Sequence, residues 1–90
     1  MCQTRIVRYF FHLFNDIEAP DLEGRELPGD AEARAVATAE CREMMSETIR
    51  KGYVNLSHRI DVEDVLRQPL FTVRFGDAIE VKPLECARGA

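Results

Sequence analysis

Near the start of the chain, the run Val7-Arg8-Tyr9-Phe10-Phe11-His12-Leu13-Phe14 is apolar on both of its alternating faces. Its β-branched and aromatic residues predict a strand. Alternation puts Val7, Tyr9, Phe11 and Leu13 on one side, and Arg8, Phe10, His12 and Phe14 on the other. A chain of 90 residues builds one modest core. One long helix covers one face of a sheet, so a strand with two such faces asks for a second cover. What that cover is constrains both the fold and the surface left for a partner.

The helix follows later. Between Ala31 and Lys51 there is no Gly or Pro, and Ala, Glu, Arg and Met dominate. Ala33, Ala37, Cys41, Met44, Met45, Thr48 and Ile49 fall on one side at helical spacing, with Glu32, Glu43, Glu47 and Arg50 opposite. Asp30 is the expected N-cap, because its carboxylate can accept from free N–H groups of the first turn. Gly52 suits the position just past the C-terminus.

A weak extended piece is expected over Leu22 to Leu27, ending at Pro28-Gly29. After the helix, alternation resumes with His58, Ile60 and Val62 on one face. Leu66-Arg67-Gln68-Pro69 reads as a hairpin turn, since Pro69 cannot donate in a ladder. Leu70 to Phe75 then forms the last strand, with Phe71, Val73 and Phe75 on one side. The predicted fold is α+β: a two-layer sandwich with one long helix on a mainly antiparallel sheet of about four strands, in the order β-β-α-β-β. Residues 7–82 form the single domain, and 1–6 and 83–90 are expected as flexible ends.

Charge and cysteines limit the function classes. A net charge of -4 and a pI near 5.1 argue against a nucleic-acid partner, which usually meets a basic face. The three cysteines, Cys2, Cys41 and Cys86, are odd in number and widely spaced, as expected of reduced thiols. No signal-peptide pattern or membrane-length segment is read, so the expected location is cytoplasmic.

The order Arg8-Tyr9-Phe10-Phe11-His12, then Asp21-x-x-Gly24-x-Glu26-Leu27, then an Ala-rich helix resembles a family of small bacterial proteins of unknown function, common in rhizobia and related alphaproteobacteria. The segment from Leu70 to Ile79 is similar to the family's closing strand, which ends in Phe-x-Asp-Ala. The resemblance covers roughly residues 7 to 82. It implies a bacterial cytosolic origin and the α+β fold, and it assigns no catalytic residue. The family often carries a glycine in the last hairpin turn, where this chain has Val65-Leu66-Arg67-Gln68-Pro69.

Three functional readings follow. The first is a non-enzymatic interaction module, a homodimer or an accessory subunit of a bacterial protein, with Phe10, His12 and Phe14 as the candidate interface. The second is a small-anion-binding or catalytic domain on the outer sheet face, using His12, Arg59 and Arg74. The third is an antitoxin-like regulator. The acidic run Asp16, Glu18, Asp21, Glu23 and Glu26 is read as a solvated loop, and Gly24 as a turn or bulge glycine. Cys41 falls in the core by its helical phase. Cys2, His12, His58 and Cys86 lack zinc-like spacing, so neither metal nor cofactor is expected.

Overall fold

The computed structural model describes residues 6–15 and 18–84. The element order is β1 (Val7–Phe14), β2 (Glu18–Ala19), β3 (Arg25–Leu27), α1 (Asp30–Arg50), β4 (Arg59–Glu63) and β5 (Pro69–Arg74), closed by a 3₁₀ turn over Phe75–Asp77. The strands make one five-stranded antiparallel sheet in the order β2-β1-β4-β5, with β3 also pairing with β1. This is the expected α+β architecture of one helix on an antiparallel sheet. Of the extended piece expected over Leu22 to Leu27, only Arg25–Leu27 (β3) is strand, and β2 (Glu18–Ala19) is a further short strand that the sequence reading had placed in a loop. Both lie on the same edge of β1, Glu18–Ala19 beside its end and Arg25–Leu27 beside its start. Of the expected flexible ends, 1–5 and 85–90 fall outside the described residues, as does Asp16 of the first turn.

Register explains the two faces of β1. Phe11 sits opposite Val62 and Leu13 opposite Ile60, while Ile60 and Val62 meet Val73 and Phe71 on β5. These residues point to the helix. On the helix, the buried positions are Ala33, Ala37, Cys41 and Met45, four residues apart throughout. Three of them are small, which lets the helix backbone approach the sheet. The Cys41 Sγ lies 3.7 Å from the Val73 carbonyl. Phe75 and Ala78 close the core at the end of the last strand.

Both helix ends depart from or refine the sequence reading. Gly29, not Asp30, is the N-cap. Asp30 lies inside the helix, where its carboxylate accepts a 2.7 Å hydrogen bond from the Tyr9 hydroxyl. Burial, followed by that bond, pushes the Tyr9 phenol up to about 12. At the other end, Gly52 takes φ 104°. Its N–H donates to Ile49 O, and the Tyr53 N–H donates to Thr48 O, which is the Schellman arrangement expected of a glycine there. The buried stripe ends at Met45, so Ile49, placed in the core by its spacing, is 56 % exposed.

The last hairpin also differs. Its turn runs from Asp64 to Gln68, and β5 begins at Pro69, opposite Glu63. Proline is tolerated there because β5 is an outer strand and the register shifts at that point.

Burial pushes the Cys41 thiol up to about 11, with Glu40 and Asp77 adding to the effect. In a Cys2→Ser/Cys86→Ser background, Cys41 is therefore expected to resist a disulfide reagent such as DTNB in the folded state and to react fully in denaturant. Rapid native-state modification would refute the packing described.

Candidate functional site

The outer face of the sheet carries every candidate site residue named from the sequence. Phe14, Arg59 and Arg74 lie in one row across β1, β4 and β5. His12, Asp61 and Thr72 form the next row, followed by Phe10 and Glu63. The three residues proposed as an anion site therefore share one face. Arg59 lies beside Arg74, while His12 belongs to the neighbouring row.

The second face of β1 is covered from within the chain, so the bare aromatic surface inferred from alternation is not there. Phe10 and His12 are each 9 % exposed. One side of the Phe10 ring is met by the loop at Gly24, and the Arg67 guanidinium stacks over the ring at 4.3 Å from its centroid. Phe14 is half-buried under Arg59, whose guanidinium carbon is 4.4 Å from the ring centroid.

Asp21 holds this cover in place. Between β2 and β3 the chain leaves the edge of β1, and the Asp21 carboxylate takes the place of a strand partner. Its Oδ2 accepts from Phe11 N–H at 3.0 Å. Its Oδ1 accepts from Gly24 N–H at 3.0 Å and Glu23 N–H at 3.2 Å. The Asp21 N–H in turn donates to His12 Nδ1 at 3.0 Å. Burial alone would raise the Asp21 pKa, but the Phe11, Gly24 and Glu23 donors and the nearby His12 outweigh it, holding the carboxyl below its ordinary 3.8. The sequence reading placed Asp21 in a solvated run; its spacing to Gly24 was the available signal that it closes a turn.

Gly24 is required at this point. Its φ is +76°, and a Cβ would sit 2.9 Å from both Tyr9 O and Arg8 Cγ. Glu26, two residues on, pairs with Arg8 at 2.9 Å. Residues of β1 and of the Asp21–Glu26 turn thus meet in one place: Arg8 with Glu26, Phe10 with Gly24, and Phe11 and His12 with Asp21. Their shared task is closing the edge of β1.

His12 is engaged at both ring nitrogens. Nδ1 accepts from Asp21, so the ring proton lies on Nε2 and donates to Glu63 Oε1 at 3.0 Å. The other end of this chain of contacts is Arg67, with Nη1 3.7 Å from the same Glu63 oxygen. Arg67 has φ 63°, the left-handed region that glycine favours. Asp64 shapes that turn, its Oδ1 accepting from Leu66 N–H and Gln68 N–H at 2.9 Å each. Holding a non-glycine residue there costs about 1–2 kcal/mol. Stacking on Phe10 offsets part of that cost.

Together, His12, Phe14, Glu18, Pro20, Glu63 and Arg67 line a groove of about 260 Å³ on the outer face. Arg59 is tied to Asp61 at 3.1 Å, and Thr72 Oγ1 donates to the same carboxylate oxygen at 2.9 Å. Among the described residues, no group of three or more His, Cys, Asp or Glu is placed to hold a metal ion. Among the same residues, no helix is long and apolar enough to cross a membrane.

A one-helix, five-stranded α+β domain clasped by its own β2–β3 loop is what these observations define. The chain belongs to the DUF6894 family, a domain of unknown function, which matches residues 8–76. No curated protein and no solved structure matches the chain.

Three predictions test the clasp. Gly24→Ala should lose about 1–2 kcal/mol from backbone strain alone, more once the clash with Tyr9 O is included, read as a lowered denaturant midpoint. Asp21→Asn should lose about 1–3 kcal/mol at neutral pH. Because the folded carboxyl titrates below the unfolded one, its contribution is present above pH 4 and is lost as the pH falls through the folded value. The variant's stability should therefore fall less steeply than the wild type's below pH 4. Long-range ¹H–¹⁵N spectra at pH 8 should show His12 as the Nε2–H tautomer, and an Nδ1–H signal would contradict the bond from Asp21.

Proposed function

We propose that the chain is a non-enzymatic interaction module that pairs with a second copy of itself through the outer face of its sheet. The observation that carries this reading is the make-up of the groove. Phe14 and Pro20 supply apolar surface, Glu18 and Glu63 supply carboxylates, and Arg67 supplies a cation, with Arg59 over Phe14. A face holding both signs of charge around an apolar centre is complementary to its own two-fold copy. The engagement of both His12 nitrogens supports the same reading, since a general base needs a nitrogen free to exchange a proton.

Light scattering at micromolar concentration is the direct test. The wild type is expected to have the mass of a dimer. Phe14→Ser should become monomeric while keeping the wild-type circular dichroism. Phe10→Ser does not serve here, because Phe10 is buried and its loss unfolds the clasp. A wild-type monomer across the micromolar range would overturn the reading.

One observation favours the small-anion alternative. Arg59 and Arg74 stand directly opposite each other across β4 and β5, where like charges repel and the Asp61 carboxylate, paired with Arg59, offsets that repulsion only in part. Titration with inorganic phosphate separates the two readings. Amide shifts at His12, Arg59 and Arg74 that saturate at millimolar phosphate, in a chain that stays monomeric, would replace the dimer by a ligand site.

A further inference from the structure

The sheet has an open edge on the side away from the clasp. β5 is the last strand in the order β2-β1-β4-β5. The Phe75 N–H donates to His58 O at 2.7 Å, which marks that pair as hydrogen-bonded. Alternate pairs toward β4 follow, namely Val73 with Ile60 and Phe71 with Val62. The backbone N–H and C=O of Thr72 therefore point outward, and among the described residues no hydrogen bond reaches them. The ends of the edge are guarded: Pro69 and the register shift at one end, and the Asp77 carboxylate, 3.4 Å from the Arg74 N–H, at the other. The centre is open.

The flank beside this edge is cationic in an acidic chain. Ala31, Arg34, Ala35, Thr38 and Arg42 recur along α1 at helical spacing and line an open groove. Arg34 stacks on Phe71 of β5 at 4.3 Å from the ring centroid, and Arg42 Nε donates to Ala78 O at 2.7 Å, which places this flank on the β5 side of the helix. Glu40 faces the opposite edge, where it pairs with Arg25 at 3.2 Å. Arg74 adds an exposed cation on the other face of β5. A strand added here would meet arginine on both of its faces, and the small Ala31, Ala35 and Thr38 leave room for its side chains. A second copy would instead set this arginine-bearing flank against itself.

We propose that the central edge of β5, with the arginine-bearing flank of α1 above it, receives an extended acidic segment of another protein as an added strand. Main-chain bonds at Thr72 supply the docking, and Arg34, Arg42 and Arg74 select for carboxylates. This surface is separate from the outer-face groove, so the two can be occupied independently.

The test uses the ¹⁵N-labelled full chain and a capped ten-residue peptide alternating valine with glutamate, alongside its lysine-for-glutamate counterpart. The glutamate peptide is expected to shift the Leu70, Thr72 and Arg74 amides, to slow exchange of the Thr72 amide, and to bind more weakly as salt is raised. Arg74→Glu should weaken it about tenfold, a change of the size expected for reversing one interfacial charge. Phe14→Ser should leave it unchanged. The proposal falls if the Thr72 amide neither shifts nor gains protection, or if the lysine peptide binds as well. It also falls if the Thr72 amide is already protected in the peptide-free chain by self-association.

Discussion

The Asp21 carboxylate is the interaction on which the rest of this structure depends. A strand in the middle of a sheet needs partners on both edges, and β1 has a continuous one only in β4. On its other edge, two short strands leave a gap at Phe11, and Asp21 fills it with an ionised acceptor shared among three backbone N–H groups. Hydrogen bonds to a charged acceptor are stronger than neutral ones, so one side chain can do what several residues of strand would otherwise do. Because the same residue donates its own N–H to His12, the loop is held along β1 from the ladder edge and from the outer face together.

That closure changes what the outer face offers. Without it, Phe10 and His12 would be bare and the strand would expose an aromatic stripe. With it, Phe10 lies between Gly24 and Arg67, and His12 becomes the middle of a chain from Asp21 to Glu63 to Arg67. The surface that remains is a shallow mixed-charge groove around Phe14 and Pro20. Arg67 matters twice: it caps the aromatic ring and holds a left-handed backbone of the kind glycine favours. The side chain that glycine lacks is what joins the β4–β5 hairpin to the clasp.

Particular residues show how far the sequence could be read. The helix was legible because its apolar spacing and the Gly52 stop are local signals, and both follow from backbone geometry within one segment. The inward faces of β1, β4 and β5 were legible by alternation alone. Ile49 was misplaced because spacing says which side of a helix a residue occupies but not where the sheet beneath it ends. Asp30 was misread for a similar reason: a carboxylate at a helix start can cap the helix, and only the position of the Tyr9 hydroxyl shows that it does not. Asp21 was passed over as one acid among five, since its donors come from β1 and from its own turn at once.

The sequence by itself determined an α+β fold, its long helix, the buried Cys41 and the face of β1 that meets that helix, because periodicity leaves few other ways to bury those side chains. The tertiary structure alone decided what covers the second face of β1, which groups His12 touches and which strand edge stays open. Those outcomes depend on register between segments far apart in the chain, where Phe11 meets Asp21, Phe10 meets Arg67 and Thr72 meets no further strand among the described residues. No local pattern encodes that register.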